Sequence, residues 1–223
     1  MGSMGTVGID ERVLARLAIF PLPDVVLFPG TVLPLHVFEP RYVDMTRDVV
    51  AGTRHFAIAR LRPGYQADYL GRPPIYPVAG LGEVIACQEL PGDRFAIAVR
   101  GAGRIRVQRE LPPERTYREV EASLVPDHAV DEDAVAVARA QLAAVCERIA
   151  TGLGQEADWL RKLVRGDDDT AALTHALAAS LVREPDERQA LFETQSPSRR
   201  VDRLLDHASR ILETIGDAPR SPN

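Results

Sequence analysis

Ile19-Phe-Pro-Leu-Pro-Asp-Val-Val-Leu-Phe-Pro-Gly-Thr-Val-Leu-Pro-Leu-His-Val-Phe-Glu-Pro-Arg-Tyr42 is the stretch on which the fold turns. It is densely apolar, yet Pro21, Pro23, Pro29, Pro34 and Pro40 interrupt it. Each proline fixes φ near −65° and removes a backbone donor, which rules out one long helix or one central strand. The pieces between prolines, Leu17–Phe20, Val25–Phe28 and Val32–Leu35, are β-branched or aromatic and predict three short strands. Pro29-Gly30 predicts the turn between the last two. The result is a buried ribbon folded back on itself, as a small barrel requires. Glu39-Pro40 then starts a helix, where proline is tolerated in the first turn. His36 reads as a satisfied structural histidine.

The same periodicities extend outward. Val13–Phe20 leads into the first strand. Arg41–Ala51 predicts a helix with Tyr42, Met45 and Val49 on one face and Gly52 at its end. His55–Arg60 predicts a strand. Pro63-Gly64, Gly71 and Pro73-Pro74 make Arg62–Pro77 a long loop, decorated by Tyr65, Tyr69 and Tyr76. Val78–Leu90 and Arg94–Val99 form a hairpin about Pro91-Gly92-Asp93. Gly101-Ala-Gly103 predicts a break before the alternating segment Arg104–Gln108, and Tyr117–Val125 completes the β region. Short strands with Gly/Pro turns suggest a closed or rolled sheet.

From Asp131 the period becomes helical, with Val135, Ala138, Leu142, Val145 and Ile149 on one stripe. Glu156–Val164 predicts a second helix. The acidic run 167–169 with Thr170 caps a third, which carries Leu173, Leu177 and Leu181. Asp186-x-x-Gln189 resembles a capping box for a short helix. Ser196-Pro-Ser198 opens the last, with Val201, Leu204, Leu205, Ala208, Ile211, Leu212 and Ile215 on its apolar face. Strands followed by helices indicate α+β. The expected organisation is a β-rich part over residues 1–126, a helical part over 127–216 and a loose tail over 217–223.

The 223 residues, 45% apolar and 26% charged, suit a globular chain with a substantial core. A net charge of −5 argues against a general nucleic-acid binder. Cys87 and Cys146 form no metal or redox spacing, so a reducing, cytoplasmic setting is expected. No apolar run reaches the ~18–20 residues that span a bilayer. Met1–Gly5 reads as an expression remnant or mobile tail rather than a signal peptide.

The single lysine, Lys162, decides several chemistries. A phosphate-binding P-loop needs a lysine after a glycine-rich loop, and Lys162 follows none. A Ser–Lys dyad is confined to the same residue, on an amphipathic helix where a solvated lysine is the plain interpretation. No Gly-x-Ser-x-Gly elbow is present, and the five histidines have no metal-ligand spacing. Neither a catalytic residue, a metal nor a cofactor is therefore expected. Arg94, Arg100, Arg104, Arg106 and Arg109 could give a basic face that tracks nucleic-acid backbone. Glu110, Glu114, Glu119 and Glu121 are close enough in sequence to balance it. Tyr65, Tyr69 and Tyr76 are the better candidates for recognition, because tyrosine offers rigid apolar area with a polar tip.

The pattern Phe20-Pro-Leu-Pro-Asp-Val-Val-Leu-Phe-Pro29 followed by Leu33-Pro-Leu-His-Val-Phe-Glu-Pro-Arg-Tyr42 resembles the opening of the Lon protease N-terminal, substrate-recognition domain. Val78–Ala86, Pro91–Val107 and three helical segments from Leu177, Asp186 and Arg199 resemble later parts of that family, so the likeness covers roughly residues 15–215. It implies a PUA-like closed β-barrel followed by an α-helical bundle, similar to stand-alone Lon-domain proteins of bacteria. It also implies non-catalytic binding of unfolded or exposed apolar polypeptide segments, as an adaptor or regulator beside a separate protease or ATPase. The alternative from another class is an RNA-binding PUA-like barrel. The expected peptide-binding residues are Phe28, Pro29, Tyr65, Tyr69 and Tyr76, with the barrel–bundle junction or strand addition at an open edge supplying further surface.

Overall fold

The computed structural model describes residues 9–166 and 168–216. The expected N-terminal remnant, the 217–223 tail and the first residue of the acidic cap, Asp167, lie outside them. The chain divides into two compact units, Met1–Pro126 and Asp127–Asn223.

The first unit opens with a short helix, α1 (Glu11–Ala15), capped by the Asp10 side chain. Residues 11–15 thus form a turn of helix where only a lead-in to a strand is expected. Six strands follow: β1 (Leu17–Leu22), β2 (Val32–Val37), β3 (His55–Arg60), β4 (Val78–Leu90), β5 (Arg94–Glu110) and β6 (Arg118–Leu124). Helix α2 (Pro40–Ala51) lies between β2 and β3, with Pro40 in its first turn. The sheet order is β2-β5-β4-β3-β1-β6, and β6 pairs again with β5. One edge of β5 is shared: β2 takes residues 95–100 and β6 takes residues 105–110.

β1 and β3 run parallel, joined by the crossover that contains α2. Parallel strands are characteristically buried on both faces. Here Phe20, Phe56 and Ile58 join a cluster with Tyr42, Met45 and Val49 of α2, while Leu17, Ile19, Ala57 and Ala59 point into a second cluster with Leu81, Ile105 and Val120. Alternation along two short strands thus builds both cores.

The proline-rich ribbon departs from expectation in one place. Val25–Phe28 is not a strand. Pro23 precedes it, Pro29 follows it, and Asp24 sits at φ 52°, so no ladder can extend through it. It crosses the sheet instead, with Val26, Leu27 and Phe28 buried. Glycine makes the crossing close: a Cβ at Gly80 would lie 2.5 Å from the Leu27 carbonyl oxygen, and one at Gly101 would lie 2.1 Å from that of Phe28. The contact at Gly101 marks that glycine as a close approach and not a break, and Gly103 follows it in the same strand. They leave β5 continuous across 17 residues while the ribbon lies on it. His36 is exposed on β2, so it is no buried structural histidine.

The second unit contains α3 (Glu132–Leu153), α4 (Asp158–Val164), α5 (Thr170–Leu181), α6 (Pro185–Glu193) and α7 (Pro197–Gly216). Asp131 and Asp169 cap α3 and α5 through their carboxylates. α6 starts earlier than the expected capping box at Asp186: Glu184 is its N-cap, and Gln189 is buried and donates to Glu193. α7 packs against α3 and α5. Beneath it, fully buried Arg200 is held by Asp127, and donates to Thr174 Oγ1 at 2.9 Å and the Thr194 carbonyl at 2.8 Å. His175 Nε2 lies 3.1 Å from the same carboxylate.

Candidate functional site

The loop between β3 and β4 has local causes for its shape. Gly64 adopts φ 86°, which only glycine takes without strain, and turns the chain after Pro63. One turn of 3-10 helix follows over Tyr65–Asp68. Asp68 closes it, accepting from the Gly71 amide at 2.9 Å and the Arg72 amide at 3.2 Å. The turn brings the rings of Tyr65 and Tyr69 to a centroid separation of 6.1 Å.

The loop is fastened mainly by arginines. Arg118 donates to the Pro73 carbonyl at 2.8 Å, and Arg72 to the Leu111 carbonyl at 3.2 Å. Arg62 donates to the Ile75 carbonyl at 3.1 Å. At the other end Tyr69 donates its hydroxyl to Glu39 Oε1 at 2.7 Å. Arg41 bonds Glu39 at 3.0 Å, the Tyr69 carbonyl at 3.2 Å and the Leu70 carbonyl at 3.4 Å. Its guanidinium also lies over the rings of Tyr42 and Tyr69, 4.7 and 5.3 Å from their centroids. Burial, then the hydrogen bond to Glu39, raises the Tyr69 pKa. The hydroxyl therefore stays a donor over the neutral range.

Around this junction lie the two most exposed large apolar groups among the described residues of the first unit. Leu70 is 86% exposed and Phe38, beside Glu39, is 66% exposed. Phe38, Tyr65, Tyr69 and Leu70, with Glu39 and Arg41, are the candidate site. Of the residues expected to bind peptide, Tyr65 and Tyr69 are the two that the loop brings together here. Tyr76 does not share their ring contact: the Arg60 and Arg62 guanidinium groups lie over its ring at 4.9 and 5.4 Å. Phe28 requires a correction, because it is completely buried and its ring cannot meet a ligand. Pro29 is half-buried in the turn that rests on Gly101. These two residues are scaffold.

Phe38, Leu70, Glu39 and Arg41 went unnoticed in the sequence. Glu39 and Arg41 read there only as a helix start. Leu70 carried one signal, an aliphatic residue between Tyr69 and Gly71 in a loop with no apolar period to bury it.

The arginines of the β4–β5 hairpin region differ in setting, and Arg94 and Arg106 are exposed. Arg104 is buried, Arg100 pairs with Glu83 at 2.9 Å, and Arg109 pairs with Glu121 at 2.6 Å. Among the described residues no cluster of three His, Cys, Asp or Glu could hold a metal, and no helix is long and apolar enough to cross a membrane. The second unit carries an open polar cleft of about 570 Å³ lined by His128, Glu193, Thr194, Gln195, Ser196, Arg199 and Arg203.

The first unit is thus a proline-shaped α+β unit with an exposed aromatic and apolar surface on an arginine-pinned loop. The chain belongs to the family of the ATP-dependent protease La (LON) substrate-binding domain, whose model matches residues 16–210. It is similar to the Lon protease of Desulfovibrio desulfuricans, 26% identical over 202 residues that make up 90% of this chain and 22% of that protein. The Lon protease of Roseiflexus castenholzii is 28% identical over 204 residues, 90% of this chain and 25% of that protein. The chain thus spans about a quarter of the length of these curated relatives. Among solved structures, the Lon N-terminal domain protein from Xanthomonas campestris is similar with a TM-score of 0.60 and 26% identity, over 86% of this chain and 97% of that one. The N-terminal domain of Mycobacterium avium complex Lon protease shares the fold, with a TM-score of 0.63 at 22% identity over 87% and 98% of the two chains.

Proposed function

We propose that this protein binds unfolded or exposed apolar polypeptide segments through Phe38, Tyr65, Tyr69 and Leu70, without catalysing a reaction on them. The observation that carries this reading is the placement of two strongly exposed apolar side chains beside a fixed tyrosine pair, in a domain of the substrate-binding family. Tyrosine and large apolar groups supply contact area at low entropic cost. The return of β6 onto β5 supports reading the first unit as a closed, PUA-like barrel, which gives the loop a rigid base. The two free thiols suit a reducing cytoplasm. An adaptor or regulator that delivers such segments to a separate protease or ATPase fits these features.

β2 offers a second mode of contact to the same class of ligand. Its outer edge pairs with no other strand among the described residues. Gly101 N–H bonds the Thr31 carbonyl at 2.8 Å, and alternation from there turns the backbone of Val32, Pro34 and His36 outward. Pro34 withholds the central donor, so an added strand would be short and fixed in register. RNA binding has less support, because of the five arginines that could carry it Arg104 is buried and Arg100 and Arg109 are paired with carboxylates, which leaves Arg94 and Arg106 exposed.

Fluorescence anisotropy of labelled, reduced casein tests the proposal. Saturable binding is expected, weakened about tenfold by Leu70→Asp, the scale of losing one anchor. Absence of saturation, or an unaffected Leu70→Asp variant with an intact fold, would sink it. A steep loss of affinity with salt, equal for RNA and casein, would instead favour phosphate contacts.

A further inference from the structure

We propose that Arg41 is the positioning residue of this surface, a two-sided latch with Glu39 that holds residues 63–71 in the conformation presenting Tyr65, Tyr69 and Leu70. The proposal rests on the functional reading above for its biological meaning, but the latch itself is a statement about the loop. Its basis is an asymmetry in how the loop is fastened. The later half has independent ties: Arg118 to Pro73, Arg72 to Leu111, Arg62 to Ile75, and an isolated bridge between Leu61 and Ile75. The earlier half has its own 3-10 turn, closed by Asp68. Among the described residues, every hydrogen bond from 63–71 beyond the loop itself ends on Glu39 or Arg41, the Asp68–Arg72 bond being local to the loop.

The chemistry of the latch calls for arginine. One planar guanidinium reaches the Glu39 carboxylate and two successive carbonyls while lying over two rings. A lysine is a point charge and cannot satisfy that fork. Glu39 completes the arrangement by offering Oε2 to Arg41 and Oε1 to the Tyr69 hydroxyl. Both charged residues flank Pro40 at the start of α2, where φ is fixed. The anchor is therefore rigid, while the segment it holds is otherwise bonded only within the loop.

Native-state proteolysis with chymotrypsin, which cuts after tyrosine and leucine, tests the latch on the full chain. Arg41→Ala is expected to speed nicking after Tyr65, Tyr69 or Leu70 by about tenfold, because cleavage follows the population of the opened segment. Arg41→Lys should resemble Arg41→Ala more than the parent. Arg94→Ala, which removes an arginine on the β4–β5 hairpin, should leave the nicking rate unchanged. Should Arg41→Ala fail to fold, Tyr69→Phe removes only the bond to Glu39 and should speed nicking about threefold, less than a full charge-assisted bond because the site is partly open to water. Parent-like nicking of Tyr69→Phe together with either folded Arg41 variant would overturn the latch. Casein binding, measured on the same variants, separates the two claims. Faster nicking with weaker binding supports both; faster nicking with undiminished binding keeps the latch and removes the recognition surface from this loop.

Discussion

Replacing Gly101 by alanine puts a methyl group where the ribbon crosses β5. The new Cβ would lie 2.1 Å from the Phe28 carbonyl oxygen, 2.9 Å from its carbon and 3.2 Å from the Pro29 Cα. All three are backbone atoms, so no side chain can swing away, and the turn must retreat by more than an ångström. Two hydrogen bonds oppose that movement: Gly30 N–H to the Gly101 carbonyl and Gly101 N–H to the Thr31 carbonyl, both 2.8 Å. The turn also carries the fully buried Phe28 ring. Overpacking costs about 1–3 kcal/mol and each of the two strained hydrogen bonds about 0.5–1.5 kcal/mol, for an expected loss of about 2–6 kcal/mol. Gly103 is the internal control, because a Cβ there meets nothing within 4 Å. Gly103→Ala should be neutral or stabilising by up to about 1 kcal/mol. Urea unfolding reads the difference without ambiguity between units, since all five tyrosines lie in the first unit and the only tryptophan, Trp159, in the second. The loss should appear in the tyrosine signal. A Gly101→Ala variant within about 0.5 kcal/mol of the parent, the range of an inert surface change, would refute this account of the crossing.

Leu33→Asp should unfold the first unit, because Leu33 packs against the cluster of Phe20, Tyr42 and Phe56, and a stably folded variant by circular dichroism would put the wrong face of β2 inside. In the second unit, burial alone would raise the Asp127 pKa. Hydrogen bonds from His175 and Arg200, with the Arg200 charge, outweigh it and hold the carboxyl well below its ordinary range. A depressed folded-state pKa means stability that is present above the unfolded value of about 3.9 and lost as pH falls below it. Trp159-detected urea midpoints should therefore drop below about pH 4 in the parent and drop less in Asp127→Asn. At neutral pH the same substitution should cost about 3–5 kcal/mol by leaving buried Arg200 without its counter-charge, and a parent-like midpoint would contradict that role.

Much of the fold was legible because local chemistry and tertiary structure agree. β3 and β4 begin and end where alternation and turn residues place them, and Pro40 and Asp131 mark real helix starts. Legibility failed where one segment's conformation depends on another's backbone. Val25–Phe28 has strand composition but is a crossing, and Gly101-x-Gly103 has the composition of a break but stays within β5, with Gly101 the floor beneath the crossing. Neither fact is contained in its own few residues. At the candidate site Tyr65 and Tyr69 could be picked out because tyrosine is conspicuous in a loop. Arg41 could not, since its partners lie 28 and 29 residues away along the chain. The Asp127–His175–Arg200 group was equally hidden, spanning separations of 48 and 73 residues.

The near-absence of lysine acquires a physical sense from these contacts. A ribbon broken by prolines and loops rich in glycine leaves many carbonyl groups outside any ladder, and each needs a donor when it is covered. Arginines supply those donors repeatedly. Arg54 serves the Val84 carbonyl, Arg118 that of Pro73, Arg188 those of Ala179 and Val182, and Arg200 that of Thr194. Several also bind a carboxylate at the same time, as Arg41, Arg72 and Arg118 do. A guanidinium can join a carbonyl to a carboxylate in one plane, whereas an ammonium cannot hold that geometry. Many of the basic residues are therefore spent on holding irregular backbone, which gives the near-absence of lysine its sense. It is also why recognition is better sought in the apolar groups that such a framework leaves exposed, Phe38 and Leu70.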